Sequence, residues 1–193
     1  MFWRSPVQIA TALVWLASAA AGQPSTDPAL ALARSRDPGI VTLLRHGRAP
    51  GVGDPAGFSL GDCSTQRNLS DEGREDARRL GEALRAVGVR EADVRSSQWC
   101  RCLETARLIA VGPVRTASYL NSFFAGQGDE SASTQALRAA VLQKLDSRRP
   151  TFFVTHQVNI TALTGVFPAE GEAIFVRATA AGTIEVVGRA RLR

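Results

Sequence analysis

Six short runs rich in β-branched, aromatic and aliphatic residues recur along the chain: Ile40–Arg45, Ala92–Ser96, Val114–Tyr119, Phe152–Thr155, Ala173–Arg177 and Thr183–Val187. Each has strand length and is bounded by turn residues or by a helical pattern. Ser70 reads as an N-cap, and Asp71 and Glu72 suit the positive end of a helix. Ala77, Leu80, Leu84 and Val87 then recur at helical spacing, and Gly88 ends the helix. A second helix is expected from about Gln98 to Ala110, with Trp99, Leu103, Ala106 and Ala110 on one face. A third runs from Ser133 to Leu145, with Leu137, Ala140, Val141 and Lys144 placed to cover a sheet. A fourth opens after His156 and stops near Gly165. Strands alternating with helices predict an α/β fold: a three-layer α/β/α sandwich around a mostly parallel sheet. The last two strands, around Ala181-Gly182, read as a closing hairpin. Pro50–Ser64 and Ser122–Ser131 read as loops rich in Gly, Asp and Ser.

The start of the chain has a different pattern. Arg4 precedes an apolar stretch, Val7–Ala21, broken only by Gln8, Thr11 and Ser18. Ala17-Ser18-Ala19 and Ala19-Ala20-Ala21 fit small-x-small cleavage sites, so residues 1–22 read as a secretory signal peptide. The stretch is shorter than the roughly 20 residues of a spanning helix. An uncleaved anchor is the alternative. Residues 23–37 read as a flexible lead-in and 38–193 as one domain. Export predicts a periplasmic or secreted protein with no stable membrane insertion once the signal is removed. About 170 residues bury roughly 70% of their unfolded surface, enough for a core without metal or disulfide.

The net charge of +5 comes almost wholly from arginine, with Lys144 the sole lysine. Acidic residues are interleaved, and no basic stripe with aromatics appears, which argues against a nucleic-acid partner. An oxidising compartment makes a disulfide plausible for the three cysteines. Cys100 and Cys102 are too close to bridge on a helix, so a bridge joins Cys63 to one of them and leaves the other free. Three free thiols is the competing reading. The spacing is not a usual zinc pattern, and no metal or cofactor is expected.

The chain has two histidines, and each stands where a strand-like run ends: His46 after Ile40–Arg45, His156 after Phe152–Thr155. The carboxyl edge of such a sheet is where α/β proteins place their chemistry. Two imidazoles delivered there suggest one site. Arg45 beside His46 offers planar bidentate bonds to phosphate oxygens, and Gly47 permits close backbone approach to an anion. Arg101 falls in the first turn of the helix after Ser96-Ser97, where N-terminal amides also favour anions. Each residue alone has an ordinary structural reading, as a surface arginine or a core histidine.

Together, Leu44-Arg45-His46-Gly47, Asn68-Leu69-Ser70-Asp71-Glu72-Gly73, Ser96-Ser97 with Arg101-Cys102-Leu103-Glu104-Thr105-Ala106, and Val154-Thr155-His156 resemble the histidine phosphatase superfamily, the phosphoglycerate mutase-like proteins. The resemblance spans Leu44 to Gly165. It implies a phosphorylated His46 and a phosphate pocket of Arg45, Arg101 and His156. It also implies that Gln66 and Arg67 face the pocket. Many members take the leaving-group proton from a glutamate just after the third strand. Asn121 stands there in this chain, as a substrate contact that cannot act as an acid. Asp129 and Glu130, or Asp54 or Asp62, are the remaining candidate donors. Glu104 and Thr105 are expected to brace the helix against the sheet.

The resulting expectation is an exported phosphomonoester hydrolase working through phosphohistidine without metal. Its substrate would be a small phosphorylated compound or a cell-envelope phosphosugar. The alternative is a phosphate-binding or interaction module with little or no turnover. A mutase is disfavoured by export and by short loops.

Overall fold

The computed structural model describes Met1, residues 28–144 and residues 147–192. Apart from Met1, the expected signal peptide lies outside the described residues. Six strands form one sheet: β1 (Ile40–Arg45), β2 (Asp93–Ser96), β3 (Val114–Thr116), β4 (Thr151–Thr155), β5 (Ala173–Ala178) and β6 (Ile184–Ala190). Their order is β3-β2-β4-β1-β5-β6. β3, β2, β4 and β1 are mutually parallel; β5 and β6 run antiparallel as the closing hairpin.

The helices are α1 (Pro28–Ala33), α2 (Asp71–Ala86), α3 (Cys100–Ile109), α4 (Glu130–Leu142) and α5 (Gln157–Thr164). Strand parity sorts side chains between two cores. Leu44, Phe152, Val154 and Phe175 face one cluster with Leu80, Leu84, Ala106 and Ile109 of α2 and α3. Val41, Leu43, Phe153, Ile174 and Val176 face the other, with Leu137 and Val141 of α4 and Ile160 of α5. This is the expected three-layer sandwich.

Several boundaries differ from the sequence reading, each for a local reason. The lead-in expected to be flexible is ordered from Pro28, because Leu32 is fully buried in the first core and helix α1 packs on α2 and β6. Packing, more than propensity, stabilises so short a helix. β3 ends at Thr116 because β2, its one partner among the described residues, ends opposite it at Ser96. The chain then turns through a 3₁₀ segment at Ser118–Leu120. α3 begins at Cys100, since Trp99 is still extended. α4 begins at Glu130, because the Asp129 carboxylate accepts from the Ala132 N–H.

Candidate active site

The chain runs outward through β1, β2 and β3, and β4 then returns between β2 and β1. Where strand order reverses, loops part and leave a crevice beyond the strand ends. Arg45 pairs with Thr155 in register, so His46 and His156 leave the sheet side by side at that edge. The His46 N–H donates to Thr155 O at 3.0 Å, and the imidazole centroids lie 5.5 Å apart at 68°. An open cleft adjoins them. Arg45, Arg67, Arg101, Asp54, Ser122, Gln127 and Gln157 also line it, with Val52 and Phe124 exposed at its rim.

The His46 ring is fixed. Its Nδ1 lies 2.8 Å from Gly47 O. A carbonyl only accepts, so Nδ1 carries the proton and Nε2 keeps its lone pair. Burial, then the charge of Arg101 and more weakly those of Arg45 and Arg67, hold His46 well below the usual histidine value. It is therefore a neutral imidazole near pH 7, the state a nucleophile needs.

His156 is also neutral, through burial, its neighbour His46 and Arg101. Arg101 Nη2 approaches its Nδ1 at 3.5 Å, and its Nε2 lies 2.8 Å from Ser97 Oγ. Since guanidinium only donates, the proton sits on Nε2, directed at Ser97. Burial thus leaves His156 neutral, with its single N–H turned to Ser97.

Three guanidinium groups converge here. Arg45 Nη1 donates to Pro168 O at 2.9 Å, and its Nη2 lies 3.8 Å from Glu170. Arg67 donates to Gly53 O and Ala49 O. Arg101, 3% exposed, forms a two-pronged pair with Asp54 at 2.7 and 3.2 Å. Burial lowers Arg45 and Arg67 from the usual arginine value, and the nearby Arg101 charge adds to it. Crowded cations of this kind favour an anion. The Nε of Arg45 and the Nε of Arg101 are both buried without a protein partner. Two orphaned N–H donors on cleft-lining side chains are what a phosphate oxygen would satisfy.

The structure therefore brings Arg45, His46, Arg67, Arg101 and His156 together, but not the other expected contacts. Gly47 faces α2: a Cβ there would meet Gly73 O at 2.9 Å, so its smallness serves packing, not anion approach. Gln66 is consumed by the backbone, donating to Ser59 O and Leu60 O and accepting from Cys100 N–H. Asn121 brackets the start of α3, accepting from Gln98 N–H at 2.9 Å and donating to the Gln98 side chain. Asp129 is exposed and caps α4. Glu130 lines a separate groove with Thr134 and Ala162. Asp62 is exposed and accepts from Ser64. Asp54 does line the cleft. Against the cost of burial, hydrogen bonds from Arg101 and Trp99 keep it below the usual carboxylate range, so it has no proton to give. Thr105 braces α3 against the sheet edge as expected, accepting from the Gly47 N–H just beyond β1, whereas Glu104 ties α3 to α2 through Arg74 and not to the sheet.

The sequence gives Asp54 no partner and does not single out Ser122, Gln127 or Gln157; the first two sit in the Ser122–Ser131 loop, rich in Gly, Asp and Ser, and Gln157 follows His156 at a helix start. Cys63 bridges Cys100 with Cα atoms 5.7 Å apart. Cys102 is free and buried, its thiol pushed up to about 12 by burial. Among the described residues, no group of three His, Cys, Asp or Glu side chains gathers to hold a metal ion. Nor is any described helix long and apolar enough to cross a membrane.

The fold has many solved counterparts at low sequence identity. The protein histidine phosphatase SixA complexed with tungstate superposes with TM-score 0.56 at 16% identity, covering 79% of this chain and 96% of that one. YhfR of Bacillus stearothermophilus gives 0.59 at 18%, covering 80% and 98%. The mycobacterial glucosyl-3-phosphoglycerate phosphatase Rv2419c gives 0.54 at 17%, covering 79% and 96%. No curated protein matches the sequence. The family model for the histidine phosphatase superfamily, branch 1, matches residues 41–149. With that match over more than half its length, and with both histidines at one sheet edge, the chain belongs to the histidine phosphatase superfamily.

Proposed function

We propose that the protein hydrolyses phosphomonoesters in two steps through a phosphohistidine on His46. Nε2 attacks phosphorus in line, the phosphorus–oxygen bond to the leaving group breaks, and a nitrogen–phosphorus bond forms. Water then attacks that phosphorus, releasing phosphate and returning the lone pair to Nε2. The orphaned Nε–H groups of Arg45 and Arg101, with the Arg67 charge behind them, stabilise the equatorial oxygens in both steps. These cations supply the electrostatic stabilisation, so the step needs no metal. The observation carrying this reading is the neutral His46, its Nδ1–H locked on Gly47 O, beside two unpartnered buried guanidinium donors.

The substrate in this reading is a small phosphorylated compound or a cell-envelope phosphosugar. The apolar leader and the disulfide support export to the periplasm or beyond. A phosphate-binding module with little turnover is the second reading. It is favoured by the absence of a protonated acid among the described cleft residues.

The test is hydrolysis of p-nitrophenyl phosphate by the purified protein with chelator present. Turnover that survives chelation and disappears in His46→Ala supports the mechanism. Phosphate binding without turnover supports the module. A requirement for added magnesium would refute the mechanism.

A further inference from the structure

Asp54 is the only carboxylate among the described residues lining the cleft, in a site otherwise built for anions. An acid in that position repels the substrate unless it does something else. Its oxygens are fully committed. Oδ1 accepts from Arg101 Nη1 at 2.7 Å and from Arg67 N–H at 3.1 Å. Oδ2 accepts from Arg101 Nη2 at 3.2 Å and from the Trp99 indole N–H at 3.0 Å. A carboxylate offers about four acceptor sites, and all four are used. Both side chains of the pair are almost wholly buried, at 1% and 3% exposure.

We propose that Asp54 is a positioning residue for phosphoryl transfer: it grips both Nη atoms of Arg101 and so presents the remaining Nε–H of that guanidinium to the substrate phosphate. The proposal rests on the phosphatase reading above. An arginine side chain has four rotatable bonds, and a clamp at its far end holds the donor where charge develops. The Trp99 and Arg67 donors keep the carboxylate from turning toward the phosphate. Asp54 reaches Arg101 from a loop joined to the first residue of α3 by the Cys63–Cys100 bridge. Phe58 of the same loop stacks on Trp99 at 5.1 Å.

The test is a double-mutant cycle of Asp54→Asn and Arg101→Ala in the full chain, with Asp54→Ser as a second variant and melting temperatures recorded for each. With Arg101 present, losing the clamp is expected to lower kcat by 10–100-fold and change KM less than threefold. With Arg101 absent, Asp54→Asn is expected to cost nothing, or to restore some activity by removing an unpaired buried acid. Asp62→Asn, in the same loop but outside the cleft, leaves activity unchanged.

A further loss above threefold in the Arg101→Ala background would show that Asp54 does not act through Arg101. A rise in activity with Arg101 present would show that Asp54 occupies the phosphate's place. Either result overturns the proposal. If the wild type binds inorganic phosphate without hydrolysing an ester, the hydrolytic reading fails separately. The same cycle, read as phosphate affinity, then decides the role of Asp54: coupling of tenfold or more supports it, and additivity within threefold refutes it.

Discussion

Replacing Cys63 and Cys100 together by serine isolates what the disulfide contributes. The bridge closes a segment with a sequence separation of 37 residues. Chain-entropy arithmetic for a loop of that size gives a loss of about 13 cal/mol/K in the unfolded ensemble, or about 4 kcal/mol at 25 °C. The folded state keeps its other ties between loop and helix: Gln66 on Cys100 N–H, Asp54 on Arg101, and Phe58 stacked on Trp99. The cost therefore falls chiefly on stability and not on the geometry of the cleft. Against a total of about 5–15 kcal/mol it is large. For a chain of this length it corresponds to a melting temperature lower by about 8–16 °C.

Urea denaturation of wild type and double variant, each with and without reductant, measures the effect directly. Reductant should lower the wild-type midpoint to that of the variant and leave the variant unmoved. Thiol titration gives an independent count. The unfolded oxidised wild type should expose one reactive thiol, Cys102, and the native protein none, because that thiol is buried. A stability difference below about 1 kcal/mol, or three thiols in the unfolded unreduced protein, would refute the reasoning.

The remaining predictions are independent of the bridge. Arg101→Ala removes a charge-assisted donor and should slow hydrolysis by about 10²–10³-fold in steady-state assays; a change below threefold would place Arg101 outside the reaction. Because no protonated acid is present among the described cleft residues, aryl phosphates should exceed alkyl phosphates in kcat/KM by about 10²–10⁴, the usual contribution of a general acid. Equal rates within tenfold would reveal a donor. Asp93 binds Lys144, Arg115 and Arg95. Its pKa is lowered to about 2 against burial, by hydrogen bonds from Lys144 and Arg115. Its stabilisation is thus present above the unfolded value near 4 and lost as pH falls toward 2. Asp93→Asn should cost about 1.5–3 kcal/mol at pH 7 and less at pH 2 in urea melts; an unchanged cost across that range would contradict it. In Gly81→Ala, the new Cβ would lie 2.2 Å from Ile109 O, prying α2 from α3. A loss of about 1–3 kcal/mol is expected, against about 0.5 or less for Gly61→Ala, where nothing lies within 4 Å.

Much of the architecture was legible because it is set within a few residues. Strand parity places Leu44 and Leu43 in different cores, and the 3.6-residue period places Leu80 and Leu84 on one helix face. The residue that follows a strand lies at the sheet edge whatever its neighbours, so a histidine after each of two strands marked the site before any pairing was known. Tertiary structure decided what local propensity cannot reach. The order of strands ended β3 early, and the burial of Leu32 turned an apparent tail into α1. Cys63 found Cys100 and not Cys102 because α3 buries the latter against Thr155 O and His156. Asp54 met Arg101 across 47 positions, while Asn121 turned to Gln98, Asp129 capped α4, and Glu130 lined a separate groove. Such pairings depend on where whole elements dock. The composition of a loop does not state where its carboxylates will land.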